Sequence, residues 1–411
     1  MRGEVGAGVL ADCWADFRRL GWRWHLLALS LLIGVLAVRV APSLLSGVPQ
    51  IDELCYERAF ALVAVGESPY GANGYYYPPA FAFVGSLWTR YLGVNATRAL
   101  YRAFSLVAAA ATCWLAAAWW WSPNRRPRVW ATERIAVALG LMLATPGVHL
   151  GIEAGNFSLT AAGLINAALH AAEAWPVAAG ALLGLSLMTK PLAAILVPAL
   201  LGTARVTGGR SAVTAMVAGA LGAGALLLVP FRGEMLALEM TEGTFAGTIS
   251  LLRLLRLLHV DLGQVTLLAL LSPLAFLVAR RFGGDRSARI CIALTLVLVT
   301  APAIWLHTAT LFFPVPVMAL ALVRARIARQ PGGWARAPQR SRLELALVAS
   351  VCVAVLFLNG GGFDRLEPRL QVVLVLAPLA APVLLCVYVL RASTSSPRAN
   401  ATPASFADGP R

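Results

Sequence analysis

The chain is short of charge. Only 13% of its 411 residues are Asp, Glu, Lys or Arg, about half the share in a soluble domain. Lysine is nearly missing: Lys190 stands alone among 34 basic residues, and arginine supplies the rest. Acids number only 19, which leaves a net charge of +15. The six cysteines (13, 55, 113, 291, 352 and 386) have neither zinc-ligand nor disulfide-framework spacing. There is no Walker A sequence, no GxGxxG in a strand–helix setting and no HExxH. These absences argue against a nucleotide-driven machine and a zinc protease. Energy for any chemistry must then arrive in an activated substrate. The short alternating segments of a membrane β-barrel are missing too.

What is present is apolar. Hydrophobic residues make up 59% of the chain, and mean hydropathy is +0.74. Apolar runs lie near 24–45, 78–93, 100–121, 135–150, 157–172, 175–201, 211–230, 264–280, 288–304, 308–323, 343–359 and 370–390. A bilayer-spanning helix needs about 20 such residues. The expected fold class is therefore all-α: a polytopic membrane protein with about 12 transmembrane helices and juxtamembrane helices in external loops. Residues 1–390 read as one transmembrane unit, and 391–411 as a disordered cytoplasmic tail. The polar N-terminus makes the first run an anchor, not a cleaved signal.

Arginines cluster between apolar runs, as at Arg280, Arg281, Arg286 and Arg289, which marks the inner side. Acids concentrate in 46–77, 231–262 and 359–369, so these loops are expected outside and both termini inside. One choice stays open. If 78–93 only dips into the membrane and 175–201 is two spans broken at Lys190-Pro191, residues 90–102 move outside. The charge rule nearly ties between the two topologies.

The loop VPQIDELCYERAFALVAVGESPYGANGYYYPP (48–79) is long, acidic and aromatic. Asp52 is placed to N-cap a helix over Glu53–Val65, with Tyr56 four residues on and on the same face. Asp52 reads first as a helix cap, since N-cap aspartates are common, and second as a general base that takes a proton from a hydroxyl. Pro78 fits the first turn of the next helix. Tyr70 and Tyr77 could stack on sugar faces or anchor the loop. Lys190 interrupts an apolar run, where an ionisable group costs at least about 2.5 kcal/mol. It could hold a phosphate or snorkel to the interface. Asn156 falls in a turn. His307, after Pro302 and Trp305, reads as a group that donates a hydrogen bond to a phosphate or orients a carboxylate, or as part of an interfacial aromatic belt. SLLRLLRLLH spaces Arg253, Arg256 and His259 three apart on an amphipathic helix at the bilayer surface, near lipid phosphates.

Taken in order, these residues resemble the GT-C glycosyltransferases of family 87, which include polyprenyl-phosphomannose-dependent α-1,2-mannosyltransferases. The resemblance runs from about 48 to 310. It is carried by Asp52 and Tyr56, Gly66-Glu67-Ser68-Pro69-Tyr70, Tyr77-Pro78-Pro79, Gly155-Asn156-Phe157-Ser158, Gly180 to Lys190, Thr248, Ser250 and Arg256, and Pro302, Trp305 and His307. The family's Gly-Gln-x-Asn lacks its Gln here, and the Asn of its Asn-x-Ser is replaced by Thr248.

The resemblance implies an inverting transfer of a sugar, a mannose by the Trp-x-His element, from a polyprenyl phosphate to a lipid-linked or envelope glycan. It implies Asp52 as base and Lys190, Arg256, His307 and Arg253 around the donor phosphate. Tyr56, Tyr70, Tyr77, Asn156 and Trp305 would position substrate or loop. No metal or other cofactor is implied. The expected partners are the lipid-borne donor, a glycan acceptor and membrane lipids, not nucleic acid. The expected site is the outer face of the plasma membrane. A polyprenyl-phosphoarabinose-dependent transferase, a transporter or flippase, and an inactive assembly subunit are the rival readings.

Overall fold

The computed structural model describes residues 48–72, 74–117, 138–142, 145–171, 175–190, 250–260, 262, 264–282, 286–301, 306–328, 339–357 and 367–395, with 30, 34, 42 and 196. The described residues are helical and contain no strand, as an all-α class requires. In chain order the helices are α1 (Ile51–Ala64), α2 (Pro79–Leu92), α3 (Val94–Leu115), α4 (Pro146–Glu153), α5 (Ser158–Ala171) and α6 (Pro176–Thr189). Then come α7 (Leu251–Leu257), α8 (Gln264–Phe282), α9 (Arg286–Thr300), α10 (Pro314–Ala328), α11 (Gln339–Phe357) and α12 (Pro368–Ser395). Short 3-10 helices lie at Pro69–Gly71 and Leu306–Phe312.

Among the described residues, no helix is long and apolar enough to cross a membrane. The spans expected from the apolar runs are therefore not recovered as spans. Three of those runs show why. α2, α5 and α6 have 14 residues each, about 21 Å at 1.5 Å per residue, against roughly 30 Å of bilayer hydrocarbon. The runs at 24–45 and 211–230 lie outside the described residues, apart from isolated positions in the first.

Local chemistry explains the boundaries. Pro79 opens α2 and Pro176 opens α6, where a missing N–H costs nothing. Pro78 is the N-cap, so the expected first-turn proline is displaced by one residue. α6 stops at Thr189 because Lys190 precedes a proline and is extended (φ −147°, ψ 136°). Gly93 joins α2 to α3 at φ +82°, a conformation that costs a β-carbon-bearing residue.

α5 lies between α3 and α6. At its closest point a Cβ on Gly163 would meet the Ala108 Cβ at 2.7 Å, so the small residue sets the α3–α5 approach. α1 packs on α2. α8 packs on α9, and α10, α11 and α12 pack on one another. The 3-10 helix Leu306–Phe312 sits against α4 and α5. The main core runs through Ile165, Leu183, Leu294, Val297, Phe312 and Met318, all nearly solvent-free. Burying each such side chain contributes about 1.5–3 kcal/mol. A second cluster of Tyr56, Phe60, Tyr75, Tyr77, Phe81 and Tyr101 fastens α1, α2 and α3.

Two expected helices change character. The first runs Ile51–Ala64, and its N-cap is Gln50, not Asp52. Glu53 accepts from the Gln50 N–H at 2.7 Å. That contact does the capping work and leaves the Asp52 carboxylate free of it. The second, α7, has only seven residues, with Ser250 as its cap. It does not lie apart as a surface helix: Leu254 packs with Val375 and Leu379, and Leu252 with Leu267. His259 falls beyond its end at φ +58°.

Candidate functional site

The site begins at the first turn of α1. The Asp52 N–H donates to the Ala154 carbonyl at 3.2 Å, which docks this turn onto the loop between α4 and α5. That loop turns at Gly155 (φ +66°), where a Cβ would meet the Glu53 Cγ at 2.5 Å, so glycine is needed for both backbone and space. Asn156 follows. Its Nδ2 donates to Asp52 Oδ2 at 2.6 Å. Its Oδ1 accepts from the Ser158 N–H at 2.8 Å and from the Ser158 hydroxyl. These bonds fix which way the amide faces and therefore hold one oxygen of Asp52 in place.

The aromatic loop closes over this pair. Tyr56 donates to the Tyr77 hydroxyl at 2.8 Å, and the Phe157 N–H reaches the Tyr56 oxygen at 3.4 Å. Tyr56 meets Tyr77 edge-on, ring centroids 5.0 Å apart. Tyr70 donates to the Tyr77 carbonyl at 3.1 Å, and Tyr75 to the Pro78 carbonyl at 2.9 Å. Lys190 arrives from the end of α6 with Nζ 5.4 Å from the centre of the Tyr77 ring. That is cation–π distance. Its ammonium makes no hydrogen bond or ion pair within 4 Å to a described residue, yet its field reaches Asp52.

Electrostatics favour a reluctant anion at Asp52. Burial raises its pKa above 3.8, the Asn156 hydrogen bond and Lys190 pull it down, and Glu53 pushes it up. Burial also lifts the Tyr56 and Tyr77 phenols well above their ordinary range, with Asp52 adding to both, so both stay protonated.

Behind Asp52 lies a buried ion-pair network that the spacing of the sequence left unread. Arg102 on α3 forks onto Glu53, Nε to Oε1 at 2.6 Å and Nη2 to Oε2 at 2.7 Å. It also donates to the Val48 carbonyl at 2.9 Å. Arg98 binds Glu57 through Nε at 2.9 Å and Nη2 at 2.5 Å. The available signal was two carboxylates four residues apart facing two arginines four apart, each pair on one helix face.

The structure thus brings together Asp52, Tyr56, Tyr70, Tyr77, Asn156 and Lys190. It places the other expected residues elsewhere or leaves them open. Arg253 is buried on α7 and reaches Gln371 at 3.4 Å. Arg256 is one turn further along a helix that packs on α12. His307 lies in the 3-10 helix against α4 and α5. Trp305 lies outside the described residues. Among the described residues, no group of three His, Cys, Asp or Glu side chains could hold a metal ion. No family model matches the chain, and neither a curated protein nor a solved structure matches it.

Proposed function

We propose that the chain is an inverting membrane glycosyltransferase of the GT-C type, moving a sugar from a polyprenyl phosphate to a glycan acceptor, with Asp52 as general base. The observation that carries this is a carboxylate with a raised pKa, aimed by Asn156 at 2.6 Å beside an ammonium that lies over the Tyr77 ring and makes no hydrogen bond or ion pair to a described residue. In the reaction, Asp52 takes the proton of the acceptor hydroxyl as that oxygen bonds to the anomeric carbon. The glycosidic bond breaks, and its electron pair leaves with the lipid phosphate. Lys190 neutralises the departing charge in a site walled by tyrosines. A single base serves, because inversion needs no protein nucleophile. Mannose is the sugar favoured by the family resemblance.

The membrane reading rests on the apolar runs and on outward faces. Leu270, Leu274 and Leu277 are exposed on one stripe of α8, Leu343 and Leu347 on α11, and Val373, Leu376, Val383 and Val387 on α12. Aligned apolar stripes of this kind suit lipid or a partner better than water. The Glu53–Arg102 and Glu57–Arg98 pairs favour the topology in which 78–93 only dips, because they hold 90–102 beside the acidic loop. The expected location is then the outer face of the plasma membrane.

Replacing Asp52 with Asn, assayed in membranes with radiolabelled polyprenyl-phosphate sugar, tests the reading. Undiminished transfer would remove the base and the mechanism with it. One observation favours a transporter as the second reading: a buried acid feels the charge of a lysine where α6 breaks, and transporters place ionisable groups together at broken helices. Solute uptake by reconstituted vesicles, abolished by the same substitution and without transfer, would select it.

A further inference from the structure

Between α1, α2 and α3 lies a cavity of about 10 Å³, lined among others by Glu57, Phe60, Thr89, Thr97, Arg98 and Tyr101. That is room for one water. Three residues of this lining each bury a hydroxyl that has no hydrogen bond among the described residues: Thr89 Oγ1, Thr97 Oγ1 and the Tyr101 phenol. Thr97 and Tyr101 are at most 5% exposed. A single orphaned hydroxyl is costly, and three around one void share a remedy. The lining also selects the occupant. Arg98 disfavours a cation and Glu57 an anion. The threonine and tyrosine hydroxyls both donate and accept. A neutral group able to do both is what the site can satisfy.

We propose that this cavity binds one structural water, bonded to the hydroxyls of Thr89, Thr97 and Tyr101. The water ties the end of α2 to the first turns of α3 across the Gly93 turn, beside the Arg98–Glu57 pair. It thereby braces the platform on which Glu53 and Asp52 stand. The inference is independent of what the site transfers.

The test uses the purified full chain in detergent. Tyr101→Phe and Thr97→Val keep shape and remove one hydroxyl each, and thermal unfolding is read for both singles and the double. A bound water predicts that each single lowers Tm by about 1–3 °C. It also predicts that the double loses less than the sum, because the second hydroxyl then serves a water already loosened. A dry cavity predicts the opposite sign: removing an orphaned hydroxyl leaves Tm unchanged or raises it. That outcome, or high-resolution density with the cavity empty, overturns the proposal.

Discussion

The region around α1–α3 and the bundle of α8–α12 are both helical and both well buried at their centres, yet they are held by different forces. In the bundle, Leu294, Val297, Phe313 and Met318 pack without direction, and Cys291 meets Met318 sulfur to sulfur at 3.7 Å. In the first region, two arginines grip two glutamates, and tyrosines hold the backbone that leads into α2. The bundle also carries an ion pair, Arg326 with Glu344, joined by the Tyr388 hydroxyl at 2.7 Å, but it is part-exposed, whereas Glu53 and Arg102 are 2% exposed. A carboxylate that must sit within a fraction of an ångström of its target needs directional bonds, and those cost desolvation to assemble. On the proposed reading, that difference sets the base at the start of α1.

The sharpest way to break the comparison is Asp52→Asn. Transfer should fall by about 10²–10⁴-fold, the worth of a general base. Stability should move the other way. A carboxyl whose folded pKa is raised favours its neutral form, so its contribution is full at low pH and lost as pH rises through the folded pKa. At neutral pH the amide should leave Tm unchanged or higher, read by thermal unfolding.

Arg102→Met comes next. It strands Glu53 in a site where both side chains are 2% exposed, and should cost about 3–5 kcal/mol by denaturant unfolding. Pairing it with Glu53→Gln should recover much of that loss. If the single change is mild, the network is not what holds the platform.

Leu294→Ala, a fully buried leucine of the bundle, should cost about 2–5 kcal/mol through its cavity. Leu274→Ala on the outward stripe of α8 should stay within about 0.5 kcal/mol in detergent. Equal costs would mean that the stripe packs against a partner.

The smallest expected effect is a shift in profile. Asn156→Ala removes the hydrogen bond that lowers the Asp52 pKa, so the acid limb of kcat/KM should move to higher pH. An unmoved limb would detach Asn156 from the base.

Much of this was legible in the sequence. The helical class followed from apolar runs without strand alternation, and the break at Lys190 from the proline after it. Asp52 and Tyr56 were placed on one helix face by their spacing, which is local geometry. The cap was misassigned because aspartate caps readily in general, whereas here Gln50 holds the position and Glu53 accepts its N–H. The packing of α7 on α8 and α12 was not legible, because a leucine-rich amphipathic stretch looks alike whether its apolar face meets lipid or another helix.

The sequence by itself determined helix periodicity, the aromatic loop and the solitary lysine, because each is written within a few residues of chain. Tertiary structure alone decided that Asn156 orients Asp52 across 104 residues and that Arg102 clamps Glu53 across 49. A side chain's reach is a few ångströms, so partners that far apart in the chain meet only after the helices between them have packed.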